Sequence, residues 1–266
     1  MKLKLKKVVF YFLSLIVVII FILELVKIFF LNHDYKITKY NEDKIEKGIV
    51  ITFHGIYGTE KQLRYVNENL TNKGYTVINI QYPTLEENIV GITEEYIKPV
   101  IDTEIGKLKV INKERAKKGL EKLKINIVAH SMGTVITRYY LKNNKIEDLG
   151  EVILISPPSH GSDLSDIFIS NLLKNFLGVA VLDMKTDESS FVNDLGEPSY
   201  SCHVLIGNKT NNFLYSLLIK GEDDGMVPVS TAKLDKASFK IINNTTHASI
   251  LKSSETIKEI SNILEK

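Results

Sequence analysis

The chain has 266 residues, a formal net charge of +2, one cysteine and six histidines. That length suits one α/β domain with room for an appendage, and such a domain buries a core without staples. The near-neutral balance leaves no basic footprint for nucleic acid, and the lone Cys202, set in an apolar strand-like run, excludes an intrachain disulfide and reads as a packed small residue.

The N-terminus opens with Lys2, Lys4, Lys6 and Lys7, followed by an apolar run from Val8 to Leu23 that only Ser14 interrupts. Glu24 and Lys27 break the run, and Ile28-Phe-Phe-Leu31 closes it. Residues 1–31 therefore supply roughly the 20 apolar residues that a membrane-spanning helix needs. The basic flank predicts a cytoplasmic N-terminus, with the rest of the chain across the membrane. Phe30-Leu-Asn-His-Asp34 offers no small-residue cleavage site, which favours an uncleaved single-pass signal anchor in the cell membrane over secretion after signal cleavage. Residues 32–47 are polar and charged and read as a tether.

From residue 48 the pattern changes. Lys47–His54 reads as a buried strand that Gly55 ends, and His54-Gly55-Ile56-Tyr57-Gly58-Thr59 as a loop. Glu60–Lys73 has Leu63, Val66 and Leu70 at helical spacing, with Gly74 as its cap. Thr76–Tyr82 is the next strand, stopped by Pro83, and a long helix is expected over Thr93–Lys118. Strands follow at Ile125–Ala129, Val152–Ser156, Cys202–Ile206 and Phe239–Asn243, and Ser253–Lys266 closes as a helix. Strands alternating with helices predict a mostly parallel sheet with helices on both faces.

Ser131 stands at the join of a strand and a helix, in Ile125-Asn-Ile-Val-Ala-His-Ser-Met-Gly133. A turn this sharp needs small neighbours two residues to either side, and Ala129 and Gly133 supply them. The stretch resembles the nucleophile elbow of the α/β-hydrolase superfamily, in the A-H-S-M-G form found in bacterial lipases and esterases. A serine hydroxyl becomes a nucleophile only when a histidine, held by a buried carboxylate, takes its proton. The resemblance implies the chain order Ser, acid, His. Gly221-Glu-Asp-Asp-Gly-Met-Val-Pro228 follows the penultimate strand, and Asn243-Asn-Thr-Thr-His-Ala-Ser249 follows the last. His247 is the only histidine beyond that acidic loop. Lipases with Asp-Gly-x-Val-Pro use the aspartate before the glycine, which here is Asp224, with Asp223 and Glu222 as alternatives. By the same resemblance the oxyanion donors are the backbone N–H groups of Met132 and Ile56.

Ser156-Pro-Pro-Ser-His-Gly-Ser162 resembles the T-P-H-x-G-S segment that opens the cap of many lipases. Residues 163–199 would then form a cap or lid, in which Ile167, Ile169, Leu172, Leu173, Phe176, Leu177 and Val179 either line an acyl site or pack within the cap. His130, inside the elbow, reads as structural. The resemblance thus covers residues 48–266 and implies an α/β-hydrolase catalytic domain. Its expected work is cleavage of carboxylic esters, lipid-like acyl esters in particular, with small-molecule or lipid esters and the membrane as its partners. An amidase, thioesterase or acyltransferase would use the same triad, and an idle binding domain would need none of it. No phosphate loop, dinucleotide fingerprint, H-E-x-x-H or CxxC is present, so no metal and no cofactor is expected.

Overall fold

The computed structural model describes residues 34–43, 45–167, 178–211 and 218–265, together with four isolated positions nearer the N-terminus. Seven strands form one sheet in the order β1-β3-β2-β4-β5-β6-β7. They are β1 (Lys36–Tyr40), β2 (Ile49–Phe53), β3 (Thr76–Gln81), β4 (Ile125–His130), β5 (Leu149–Ile155), β6 (Cys202–Gly207) and β7 (Ser238–Ile242). All neighbours pair in parallel except β1, which runs antiparallel to β3. Helices α1 (Arg64–Asn72), α2 (Ile89–Ile92), α3 (Lys98–Lys117), α4 (Met132–Asn143) and α5 (Asp163–Ile167) are followed by α6 (Phe191–Asp194), α7 (Val229–Ala232) and α8 (Ser254–Leu264). A π-helical stretch, Thr93–Ile97, joins α2 to α3.

Strands β2, β3 and β4 are buried along their whole length, as central parallel strands covered on both faces must be. Their alternation divides the core in two. Ile49, Ile51 and Phe53 pack with Ile101 and Leu108 of α3 and Val135 and Ile136 of α4. Val50 faces the other way, onto Leu63, Val66 and Leu70 and onto Ile260 and Ile263 of α8. Cys202 is a buried free cysteine in the first of these layers.

Three expectations are corrected. The tether read over 32–47 contains β1, an edge strand, and the sheet therefore begins before residue 48. Its polar sequence misled because only one side of an edge strand is covered: Lys36 and Ile37 are exposed, and Thr38, Lys39 and Tyr40 are only partly covered. Lys39 reaches back to the buried Glu104 of α3 at 3.0 Å, so its charge is an anchor of the strand. The helix expected from Glu60 begins at Arg64, because sheet residues claim the turn before it. The Glu60 N–H donates to Gln81 Oε1 at 2.9 Å, and Asn79 Nδ2 donates to the Glu60 carbonyl at 2.8 Å. The helix expected from Thr93 begins at Ile89, where the Asn88 side chain caps it by accepting from the Gly91 N–H at 2.8 Å.

Among the described residues no helix is long and apolar enough to cross a membrane. The expected anchor over 1–31 falls outside them apart from the isolated positions, and so do Ile169, Leu172, Leu173, Phe176 and Leu177 of the expected cap. The described parts of the cap are α5, the 3₁₀ turn Val179–Met184 and α6.

Candidate active site

The site is built at the carboxyl ends of the parallel strands, where chain leaving one strand turns towards the next helix. Ser131 sits between β4 and α4 with φ 54° and ψ −125°, a conformation that a non-glycine residue holds only when its surroundings impose it. Its N–H donates to the Ile155 carbonyl at 2.9 Å, which ties the apex to β5. Gly133 is needed for the reason the sequence suggested. A Cβ on Gly133 would stand 2.6 Å from the His54 carbonyl oxygen and 2.7 Å from that of Phe53, at the end of β2.

The structure brings together the three residues that sequence assigned to proton transfer. Ser131 Oγ is 2.9 Å from His247 Nε2, and His247 Nδ1 is 2.9 Å from Asp224 Oδ2. An ionised carboxylate only accepts, so the proton on the ring belongs to Nδ1, and Nε2 is left free to accept from the serine hydroxyl. Asp224 is fully buried. Burial alone would push its carboxyl up, but His247 beside it and the Val227 N–H hold it below the ordinary carboxylate range. The Met226 N–H donates to its Oδ1 as well, at 3.0 Å. The alternatives are occupied elsewhere. Asp223 Oδ1 accepts from the Gly225 N–H, and Glu222 Oε1 accepts from Asn208 Nδ2.

The loop after β2 approaches the serine closely. A Cβ on Gly55 would lie 2.8 Å from Ser131 Cβ, a gap only glycine can leave. His54 is fully buried and accepts from the Tyr82 N–H through Nε2, so its proton is on Nδ1 and donates to the Gly55 carbonyl at 2.8 Å. The Gly58 N–H donates to the same carbonyl at 3.0 Å. In a trans peptide the next N–H points opposite to the carbonyl, so these two donors direct the Ile56 N–H away from themselves. Ile56 lines the pocket that Ser131 and His247 open into. Met132 is the first residue of α4, where an N–H has no acceptor within the helix.

Sequence reading missed the residues that join these loops. Gln62 Oε1 accepts from the Gly55 N–H at 2.6 Å and lies 3.4 Å from His130 Nδ1. His130 Nε2 is 2.8 Å from the His247 carbonyl oxygen. Burial, and then the neighbouring His247, push the His130 imidazole down to about 3, so it is neutral and has a single N–H. That N–H must sit on Nε2, because a carbonyl only accepts. The one available signal was the position of His130 inside the elbow, which gives no direction for its ring.

A pocket opens at Ser131. Its wall is mostly apolar and includes Ile56, Leu164, Val181, Met184, Met226 and Val227. Ser162, expected to open the cap, lines it too and donates through Oγ to the Met226 carbonyl at 2.6 Å. Among the described residues no group of histidine, cysteine or acidic side chains could hold a metal ion.

This fold is that of the α/β-hydrolases, and the chain is a serine ester hydrolase. The family profile described as "Putative serine esterase (DUF676)" matches residues 43–180, and the chain belongs to that family. Mature Bacillus licheniformis lipase BlEst2 is 20% identical and superposes with a TM-score of 0.64, over 86% of this chain and 98% of that one. Legionella pneumophila phospholipase PlaB is 18% identical, with a TM-score of 0.61 over 83% of this chain, which spans only 60% of that protein. A carboxylesterase from the thaumarchaeon Nitrososphaera gargenis is 12% identical, with a TM-score of 0.56 over 87% and 94% of the two chains. At these identities the likeness is one of fold. No curated protein matches the sequence.

Proposed function

We propose that the protein cleaves lipid-like acyl esters, with Ser131 as nucleophile, His247 as the base that takes its proton, and Asp224 as the carboxylate that orients His247. The acyl-enzyme forms as Ser131 Oγ bonds to the acyl carbon and the alcohol leaves with the proton from His247. Water, deprotonated by His247, then releases the acid. The Ile56 and Met132 N–H groups are assigned to the oxyanion. One observation carries the reading: the continuous path Asp224–His247–Ser131, with both links at 2.9 Å, ends at the mouth of an apolar pocket.

That pocket sets an expectation for chain length. Each buried CH₂ contributes about 0.8 kcal/mol, or at most about fourfold in kcat/KM, until the wall is reached. Medium-chain p-nitrophenyl esters are therefore expected to outrun the acetate when assayed below their micelle-forming concentrations. A maximum at acetate with a decline thereafter would leave a short-chain esterase.

His130 is assigned a positioning role, holding the His247 backbone through its single N–H. Glutamine carries an amide nitrogen near the place of imidazole Nε2, and asparagine near that of Nδ1. His130→Gln should thus keep most of kcat/KM, whereas His130→Asn should lose about tenfold or more, with KM little changed. Equal losses in both, tracking the thermal midpoint, would reduce His130 to packing.

We infer further that the apolar run Val8–Leu23 holds the enzyme in the cell membrane, with the catalytic domain outside the cytoplasm. Full-length protein is expected to sediment with membranes through a high-salt wash, since a buried apolar segment is not released by screening charge. A shortened form in the medium would favour signal cleavage.

A further inference from the structure

We propose that the mouth of the active site faces the bilayer that holds the N-terminal segment, and that the substrate is an acyl ester lipid of that same membrane. The inference rests on the anchoring read from Val8–Leu23 and adds an orientation to it. The observation behind it is the direction of β1. This strand runs antiparallel to β3, and its first residue pairs with the last of β3, Lys36 with Gln81. Because β2, β3 and β4 are parallel, their carboxyl ends lie together, and Ile56 and Ser131 follow the ends of β2 and β4. The chain from the N-terminal segment therefore joins the domain at the active-site end of the sheet and runs away from it.

Lateral distance is small as well. Between β1 and β4 lie three strand spacings, or about 14 Å. The junction is also fixed. Gln81 Nε2 donates to the Asp34 carbonyl at 2.7 Å, while its Oε1 accepts from Glu60 in the loop that carries Ile56. Lys36 pairs with the same Glu60 at 2.7 Å. Tyr35 stands at the junction, 43% exposed, with its ring 5.3 Å from that of Tyr96. Tyrosine is the kind of side chain that settles at a membrane–water boundary. A lipid leaving the bilayer would thus meet the apolar pocket without crossing water.

The test uses the full chain reconstituted in phosphatidylcholine vesicles. Cys202 is buried, so a single introduced surface cysteine takes a bimane label selectively. One label goes at Glu86→Cys, in the exposed loop after β3, and the other at Glu121→Cys, exposed before β4 at the opposite end. Head-group nitroxide lipids should quench the first label severalfold and leave the second near its value in plain vesicles. Inserting 20 Gly/Ser residues between Leu31 and Asn32 should abolish that difference. The same insertion should lower severalfold the rate on 4-methylumbelliferyl oleate held in the vesicles, with p-nitrophenyl butyrate turnover unchanged. Equal quenching of the two labels, or stronger quenching at Glu121→Cys, in protein that floats with the vesicles would overturn the orientation alone. Protein that fails to float would overturn the anchoring and the orientation with it. Floating, correctly oriented protein inactive on both esters would instead sink the ester reading.

Discussion

Ser131→Ala is expected to lower kcat/KM for a p-nitrophenyl ester by several orders of magnitude, leaving roughly 10³–10⁴ over the reaction in water. The remainder would come from the oxyanion donors and the pocket, which the substitution does not touch. The size of the loss follows from the geometry. Ser131 Oγ is the atom His247 Nε2 faces at 2.9 Å, and alanine removes it, leaving a Cβ methyl that can neither donate nor attack. The fold should not change. The Ser131 N–H still donates to the Ile155 carbonyl, and the strained backbone at φ 54° is held by β5 and α4 and not by the hydroxyl. A thermal midpoint within about 3 °C of the parent would confirm that activity and stability have been separated. Turnover like that of the parent would reject Ser131.

Asp224→Asn is the second large effect, expected to cost about 10⁴-fold, or about 5.5 kcal/mol of transition-state stabilisation. An asparagine can still accept from the Met226 and Val227 N–H groups through one oxygen, as Asp224 Oδ1 does. Its amide then faces His247 Nδ1 with a donor. The ring must respond by moving its proton to Nε2, and an Nε2–H cannot accept from Ser131. Asp223→Asn should stay within about tenfold of the parent, because the acceptor for the Gly225 N–H is retained in the amide oxygen. Comparable losses in the two variants, or a larger loss at Asp223, would move the acid to its neighbour.

The parts of this site that were legible in sequence are those in which a short motif fixes the backbone. The run Ala129-His-Ser-Met-Gly133 predicts a strand, a tight turn and a helix, and these occur as β4, Ser131 and α4. The choice among Glu222, Asp223 and Asp224 was open from composition alone, since three adjacent carboxylates differ only in direction, and direction is set by how Asp224 is clasped by Met226 and Val227. His130 and Gln62 were not legible as partners. Their contacts span 68 and 117 residues of sequence, and no local pattern records which nitrogen of a ring meets which carbonyl. The same holds for β1, whose polar residues look like a tether until α3 supplies Glu104 to receive Lys39 and β3 supplies Gln81 to donate to the Asp34 carbonyl just before it. Strand β1 is the piece with the largest consequence, because the proposed orientation of the active site rests on its direction against β3.

The central claim, that Ser131 is the nucleophile of an ester hydrolase, is tested most directly by treating the full-length protein with a fluorophosphonate and mapping the adduct by peptide mass spectrometry. The account predicts one equivalent on Ser131, formed in step with loss of ester hydrolysis, greatly slowed in Asp224→Asn and absent after unfolding. A stoichiometric adduct on another serine, such as Ser162 at the pocket wall, or full ester turnover in protein that takes up no label, would contradict it.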